Sequence, residues 1–347
     1  MIKRVAVALS GGVDSAVTAA ILKNEGYDVV GITGKMTCGV DSETVVFNAR
    51  NVADKLGIEH YVYDATEEFK KRVIDYFQNS YRSGETPNPC IMCNKFIKWG
   101  CLFDYCIEKL GANYIATGHY ADIKYLDGYY KLYPAQDENK DQLYFLFLLN
   151  QEKLSRTLFP LAKYRKSEVR QLAQKYDLPP KSAKESQDIC FIKAPITTKK
   201  YLNLVFKPEQ GYFVEKSTGK ILGKHDGFWQ YTIGQRKGIG IAAPEALYVV
   251  GINSDANVVY VGYKDELYTD SLSLREICWS YPQNRNLFKA LVKIRYNMNA
   301  VEALILKENN DWKIKFNEPV SAITAGQACV LYDLIDGHLL GGGFITC

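Results

Sequence analysis

The sequence predicts an α/β fold: a parallel, doubly wound sheet, then a small mostly-β region and a C-terminal β-barrel. Three observations predict it. Short β-branched runs alternate with helix-period segments through the first half, as parallel sheets covered by helices require. A glycine turn joins the first such run to the first helix. From Gly211 onward the runs become short, alternating, and separated by glycine, asparagine or aspartate, the pattern of small barrels and sandwiches. The change of pattern puts boundaries near 196 and 266. Three units are expected, over 1–195, 196–265 and 266–347, and 347 residues are enough for each to bury its own core.

Taken in order, Val5 to Leu9 has the length and β-branched content of a buried strand. Ser10-Gly11-Gly12-Val13-Asp14-Ser15 is the turn. Ala16 to Lys23 reads as a helix that ends near Gly26. Residues 27–33 form a second strand. Val45, Val46, Ala49, Val52, Ala53 and Leu56 recur at helical spacing, and Gly57 ends that helix. A strand over 60–64, helices over 69–77 and 95–110, and a strand over 114–117 follow, with Gly118-His119-Tyr120 at the last strand's carboxyl end. Residues 152–178 read as helical, with Ser167-Glu168-Val169-Arg170 capping the second of two helices and Pro179-Pro180 breaking the chain. Lys184 to Ile192 reads as a loop or short strand. Ligands of such sheets bind beyond the carboxyl ends of the strands. The glycine turn, Gly34 and Gly118-His119 are therefore expected to converge.

A net charge of +4 permits a nucleic-acid partner without demanding one. No run of about 18 apolar residues occurs, so no membrane span is expected. No leader is visible, and nine irregularly spaced cysteines argue against a secreted disulfide framework, so a reducing cytoplasm is the expected location. Cys38, Cys101, Cys106, Cys278, Cys329 and Cys347 read as core. Cys90, Cys93 and Cys190 do not.

The glycine turn is an anion site. Glycines let backbone amides approach a phosphate, and the helix start presents unpaired N–H groups. Ser10 and Ser15 add hydroxyl donors, and Asp14 could hold Mg²⁺ against the phosphates. The Gly-Lys-Ser/Thr ending of the Walker type is missing, so γ-phosphoryl transfer is not the first reading. Thr86-Pro87-Asn88-Pro89 makes a stiff loop before Cys90-Ile91-Met92-Cys93. Cys93 precedes an expected helix start, where the dipole and Lys95 would lower its thiol pKa. A buried, inert cysteine pair is the other reading. Cys190 lies in a polar stretch that suits an accessible nucleophile.

These motifs resemble two nested families. Ser10 to Ser15 resembles the PP-loop of the ATP pyrophosphatases, which cleave ATP between the α and β phosphates. The whole chain resembles the bacterial tRNA-specific 2-thiouridylases, on Ser10-Gly-Gly-Val-Asp-Ser15, Thr86-Pro-Asn-Pro with Cys93-Asn-Lys, Ala116-Thr-Gly-His-Tyr120, Lys140-Asp-Gln142, Ser186-Gln-Asp-Ile-Cys-Phe191, and His225-Asp-Gly with Tyr231-Thr-Ile-Gly-Gln-Arg-Lys-Gly238. The resemblance implies that ATP adenylates the C2 oxygen of the wobble uridine of tRNAs of the Lys, Glu and Gln type. A Cys190 persulfide then supplies sulfur, and Cys93 resolves it with a Cys93–Cys190 disulfide as one product. A persulfide carrier or cysteine desulfurase is the implied sulfur source. Activation is chemically necessary, because a urea-like carbonyl is a poor electrophile with no leaving group.

By the same resemblance Ala8, Leu9, Ser10, Gly11, Gly12, Val13, Asp14, Ser15, Gly34 and Gly118 line ATP. Asn88, Pro89 and Cys90 face the target base. His119, Lys140, Asp141, Gln142, Arg295, Tyr296 and Gln327 touch tRNA. Read alone, His119 could be a structural hydrogen-bonder and Arg295 a solvated strand residue. The sequence departs from the family at Cys90, where Asp is usual, at Gly34 for Met, at Asp122 for Arg and at Leu143 for Ser. Cys90 opens an alternative in which Cys90, Cys93 and Cys190 hold a [4Fe–4S] cluster, or zinc. An adenylating small-molecule ligase and a non-catalytic tRNA-binding protein are the remaining alternatives. A ligase would need neither the cysteine pair nor a β region.

Overall fold

The computed structural model describes residues 2–179, 189–193, 195–309 and 311–346. Pro180, the Lys184–Asp188 part of the polar stretch and Cys347 lie outside the described residues. The first strands run in chain order: β1 (Arg4–Ala8), β2 (Asp28–Lys35), β3 (Glu59–Asp64), β4 (Tyr114–Ala116), a hairpin of β5 (Asp122–Leu126) and β6 (Tyr129–Tyr133), and β7 (Thr157–Leu158). The main sheet has the order β3-β2-β1-β4-β7 and every pair in it is parallel. The chain leaves β1 toward β2 on one side and returns to β4 on the other. That reversal opens a crevice at the carboxyl end of β1.

Alternation along β1 feeds two cores. Val5, Val7 and Leu9 pack with α1 (Val13–Asn24), α2 (Val40–Leu56) and the helix Lys166–Lys175. Ala6 faces the opposite layer, with Phe69, Val73, Ile91, Trp99 and Leu102 from helices over 66–82 and 89–108. The first is longer than the sequence predicts, and the second starts earlier than predicted and is kinked at Gly100, whose backbone leaves helical geometry. Each contains a π-helical stretch, Lys70–Ile74 in one and Cys93–Cys101 in the other.

The expected helical run over 152–178 is broken. Gln151–Ser155 is helical, then Thr157 and Leu158 pair with Ile115 and Ala116 as a fifth strand. Pro160 follows, and Lys166–Lys175 resumes the helix. Its cap is Arg165, whose N–H donates to Glu168 Oε2 at 2.7 Å, so the helix starts earlier than Ser167. The β5–β6 hairpin carries a legible turn signal in Asp127-Gly128, both at positive φ.

A four-stranded sheet follows, of β8 (Gly211–Glu215), β9 (Ile221–His225), β10 (Tyr248–Asn253) and β11 (Val258–Gly262), in the order β10-β11-β8-β9. The C-terminal strands are β12 (Tyr268–Trp279), β13 (Leu287–Lys293), β14 (Val301–Glu308), β15 (Asp311–Ser321), β16 (Ala328–Tyr332) and β17 (Leu339–Thr346). They close as a barrel in the order β12-β15-β14-β13-β16-β17. Leu274, Val292, Ile305, Ile314 and Leu331 fill it. The alternate residues Ala328, Val330, Tyr332, Leu339 and Phe344 join the core beneath the helix over 89–108. The barrel is thus fused to the sheet domain by shared apolar surface. Tyr144 Oη adds a hydrogen bond to Ala328 O at 2.8 Å. Among the described residues no helix is long and apolar enough to cross a membrane.

Candidate active site

The glycine turn sits at the carboxyl end of β1. Gly11 has φ +72°, and a Cβ there would lie 2.8 Å from Asn48 Cβ on α2. Gly12 is the N-cap of α1 and no side chain caps that helix, so its first amides face the crevice. Ser10 is exposed. Ser15 departs from expectation. Its buried hydroxyl donates to Gly12 O at 3.0 Å and accepts from Ser10 N at 3.2 Å, so it shapes the turn from inside. Gly34 lies at the end of β2 beside Met36 and Leu102.

Asp14 is not free in this state. Lys166 Nζ lies 2.7 Å from its Oδ1 and 2.6 Å from its Oδ2, and Tyr120 Oη donates to Oδ1 at 3.1 Å. Sequence reasoning missed Lys166, which arrives from a helix far along the chain. Gly118 packs directly under the turn: a Cβ there would lie 2.9 Å from both Asp14 C and Ser15 N. Backbone cannot yield as a flexible side chain does. Gly118→Ala is therefore expected to weaken ATP binding about tenfold to a hundredfold, the usual range for overpacking a rigid contact. Equilibrium dialysis checks this, and wild-type affinity would disprove the packing argument.

The proline loop leads straight into a helix. Asn88 is its N-cap and Pro89 its first residue, so Cys90 and Cys93 lie in and just after the first turn. The helix begins earlier than the sequence predicts, and Cys93 falls on its inner side. Its thiol is buried and pushed up to about 12, because burial outweighs the opposing charge of Lys98. The expected lowering by dipole and Lys95 is thus overturned. The Lys95 ammonium lies over the Phe96 ring instead, 5.0 Å from its centroid.

Lys98 is the cation of this pocket. Its charge acts on Cys90, Cys93 and Cys190 alike, favouring their thiolates against burial. The π-helical stretch places it there: i→i+5 hydrogen bonding adds a residue to the turn and brings Lys98 round toward Cys93. Its Nζ lies 3.2 Å from His119 Nε2, and His119 Nδ1 lies 2.7 Å from Thr117 Oγ1. An ammonium only donates, so Nε2 accepts and Nδ1 carries the hydrogen. Burial, and then the charge of Lys98, hold His119 well below its usual pKa. The ring packs between Trp99 and Phe159. His119 therefore aims Lys98, and its buried ring has the partners of the structural hydrogen-bonder that was the other reading of this residue.

Cys190 is exposed, yet lies within electrostatic reach of Lys98, Cys90 and Cys93. Phe191 anchors it, with its ring 6.0 Å from Phe69, 5.3 Å from Phe77 and 5.9 Å from Tyr201. Charge on Cys190 or Cys90 raises Cys93, and charge on Cys90 raises Cys190. Enclosure by the surrounding protein is nonetheless the larger cause of the upward shift at all three, at Cys90 and Cys190 even though both residues keep a solvent-exposed face. All eight described cysteines are free thiols. Among the described residues, only Asp333, Asp336 and His338 bring three candidate ligand atoms within 4.8 Å of one another. The three sulfurs stand farther apart, so no single-ion site is preformed between them.

The high pKa of Cys93 has a simple signature. The thiolate is the nucleophile, so a raised pKa leaves little of it near neutrality. At about pH 8 Cys93 should alkylate far more slowly than the exposed Cys38, and its rate should still be climbing at about pH 10. Mass spectrometry of iodoacetamide-treated protein measures both. Equal labelling of the two cysteines at pH 8 would contradict the burial.

The barrel braces the proline loop. Arg275 holds Glu85 through two hydrogen bonds, of 2.5 and 2.7 Å, and Thr86 N donates to Ala325 O at 2.9 Å. Gln327 Nε2 donates to Thr86 O at 2.8 Å, so its amide faces the loop. Other expected tRNA contacts also turn inward. Asp141 accepts from Ala135 N and Leu143 N, and Gln142 Oε1 accepts from Tyr120 N. Arg295 donates to Ala322 O and Thr324 Oγ1. Tyr296 stacks on Phe145 at 4.6 Å and stays half-buried, as does Lys140. Cys106 and Cys329 are buried as expected, Cys101 and Cys278 partly so, but Cys38 is exposed.

Comparison with known proteins agrees along the whole chain. Residues 3–194 match the family described as tRNA methyl transferase HUP domain, 199–263 the tRNA methyl transferase PRC-barrel domain, and 269–345 the Aminomethyltransferase beta-barrel domain. A tRNA-specific 2-thiouridylase MnmA of Trichormus variabilis is 41% identical over 99% of this chain and 98% of its own length. One of Carboxydothermus hydrogenoformans is 43% identical over 99% of this chain and 97% of its own. Among solved structures, the U34-tRNA thiolase NcsA of Methanococcus maripaludis with its [4Fe-4S] cluster aligns at TM-score 0.36 and 22% identity, over 52% of this chain and 62% of that one. With identity above two-fifths from end to end, the chain belongs to the tRNA-specific 2-thiouridylase family.

Proposed function

We propose that this protein is a tRNA sulfurtransferase that replaces the C2 oxygen of the wobble uridine with sulfur at the expense of ATP. One observation carries the reading. Gly118 packs against the nucleotide turn, while its neighbour His119 holds the lysine of the thiol pocket. Two adjacent residues thus join the two half-sites that such a reaction needs.

The uridine C2 oxygen attacks the α-phosphorus, the bond to the bridging oxygen breaks, and pyrophosphate leaves. Asp14 would hold Mg²⁺, which neutralises phosphate charge when bound. Its side chain is 31% exposed and offers the hard oxygens that ion prefers. The terminal sulfur of a Cys190 persulfide attacks C2, and AMP leaves with the former carbonyl oxygen. The Cys93 thiolate then attacks the Cys190 sulfur, freeing 2-thiouridine and forming a Cys93–Cys190 disulfide. An external thiol supplies two electrons to reset the pair, and a sulfur carrier or desulfurase reloads Cys190. Lys98 supplies the positive charge that each sulfur anion needs in a buried pocket. Lys140 and Tyr296 are the half-exposed positions we assign to tRNA. We take 1–195 as the catalytic unit, and 196–265 and 266–347 as units that brace it and carry tRNA contacts.

Cys90 supports a second reading. A third thiol under the same lysine gives Cys90, Cys93 and Cys190 the donor set of a three-cysteine [4Fe–4S] site, where an open iron would supply hydrosulfide. Anaerobic purification with iron and acid-labile sulfide analysis separates the two. Iron-free, fully active protein removes the cluster. For the function itself, tRNA from a deletion strain should lack wobble 2-thiouridine and regain it on complementation. Unchanged 2-thiouridine would overturn the proposal.

A further inference from the structure

The motif Tyr231-Thr-Ile-Gly-Gln-Arg-Lys-Gly238 takes no part in either half-site. It forms a loop where the four-stranded sheet meets the barrel. Gly234 has φ +87°, and a Cβ there would lie 2.8 Å from Ala322 Cβ, just past the end of β15, and 3.8 Å from Arg295 Nη2. The loop holds its own shape. Gln235 N donates to Thr232 O at 3.0 Å, Thr232 N to Gln235 Oε1 at 3.1 Å, and Gln235 Nε2 to Lys237 O at 2.9 Å. Gly234 N donates to Val249 O and Val249 N to Gln235 O, which pins the loop to β10. None of these bonds uses the side chain of Arg236 or Lys237. Both residues are exposed, and among the described residues no ion pair holds either. Residues 231–246 contain one acid, Glu245. At the foot of the loop, Lys199 Nζ lies 5.7 Å from the centroid of the Tyr231 ring. Lys199 and Lys200 sit in the first turn of the helix Thr198–Val205, which has no acid there, although the dipole disfavours cations at that end. A stiff loop and a helix start that both leave positive charge unneutralised make a surface for an external polyanion.

We propose that the 232–238 loop grips the RNA backbone: Arg236 and Lys237, with Lys199 at the foot of the loop, bind tRNA phosphates and hold the arm that carries the target uridine across the seam beside Arg295. The surface chemistry favours RNA over an acidic protein. Over 236–240 the exposed residues are Arg236, Lys237, Gly238 and Gly240, and the one apolar residue, Ile239, is buried. A protein partner needs an apolar anchor at the centre of its contact, whereas a phosphate backbone needs only cations held in place. This assignment rests on the reading above that tRNA is the substrate.

Filter binding of an unmodified tRNA transcript with a wobble uridine, over a series of KCl concentrations, tests it. The comparison is of wild type with Arg236→Ala/Lys237→Ala and with the exchanged variant Arg236→Lys/Lys237→Arg. The alanine variant should bind about tenfold to a hundredfold more weakly, and the slope of log affinity against log salt should become shallower by about two, one per lost phosphate contact. The loss should fall on KM for tRNA rather than on kcat. The exchanged variant keeps both charges and should keep both the affinity and the slope. Wild-type affinity and slope in the alanine variant would overturn the proposal. So would weaker binding with an unchanged slope, because the loop would then act through its shape and not its charge. Unchanged tRNA binding with slower reloading of Cys190 by an acidic sulfur-carrier protein would give the loop to that partner, and the RNA assignment would fall. Wild type that binds no tRNA would instead overturn the substrate reading itself.

Discussion

Cys190→Ser is expected to release pyrophosphate at the wild-type rate and to make no 2-thiouridine, a loss on the order of a thousandfold or more in sulfur transfer. Serine matches cysteine in shape and leaves the Phe191 anchor untouched, so the pocket should stay assembled. A hydroxyl carries no persulfide, so only the second half-reaction fails. Pyrophosphate release and mass spectrometry of the tRNA nucleosides separate the halves. Thiolated product at wild-type level would remove Cys190 from the mechanism. The two sulfur chemistries also part here. A persulfide enzyme loses only its sulfur donor, whereas a cluster enzyme also loses iron, so metal content of the variant reports which operates.

Much of this architecture was legible because it is encoded locally. The β1 run, the glycine turn and the helix after it are set by neighbouring residues, and each stands where the pattern places it. Barrel strands were legible as strands, but closure depends on pairing between β12 and β17 at opposite ends of the segment. Thr157-Leu158 reads as helix only until Ile115 and Ala116 offer a free sheet edge.

Chemistry was less legible than topology, for the same reason. The helix dipole acting on Cys93 can be read from its neighbours, but burial depends on which distant residues cover it. Burial sets the sign of its pKa shift. Lys166 and Lys98 carry no motif of their own. One reaches Asp14 across most of the sheet domain, and the other needs a π-helical turn and a histidine from β4's end to face the thiols. Cys38 was misread as core because apolar character alone does not tell a loop from a buried face. Several positions assigned to tRNA by resemblance hold the proline loop and the 137–142 segment in shape here.

The first half-reaction should depend just as sharply on Asp14. Asp14→Ala is expected to cut pyrophosphate release on the order of a thousandfold or more, while tRNA affinity stays within about twofold of wild type. The reason is local. The carboxylate stands at the start of α1 beside the amides that receive the phosphates, and no other acidic side chain is placed on that turn. Alanine also strips the enclosed Lys166 of its counter-charge, so some loss of thermal stability should accompany it. Asp14→Asn controls for that, because an amide oxygen can still accept from Tyr120. The two variants should be about equally poor at adenylation and unequal in melting temperature. If Asp14→Ala still releases pyrophosphate at the wild-type rate, the carboxylate has no part in the chemistry. If Asp14→Asn alone is active, the tyrosine contact matters and the charge does not. Loss in both, with tRNA binding intact, assigns the charge at Asp14 to adenylation.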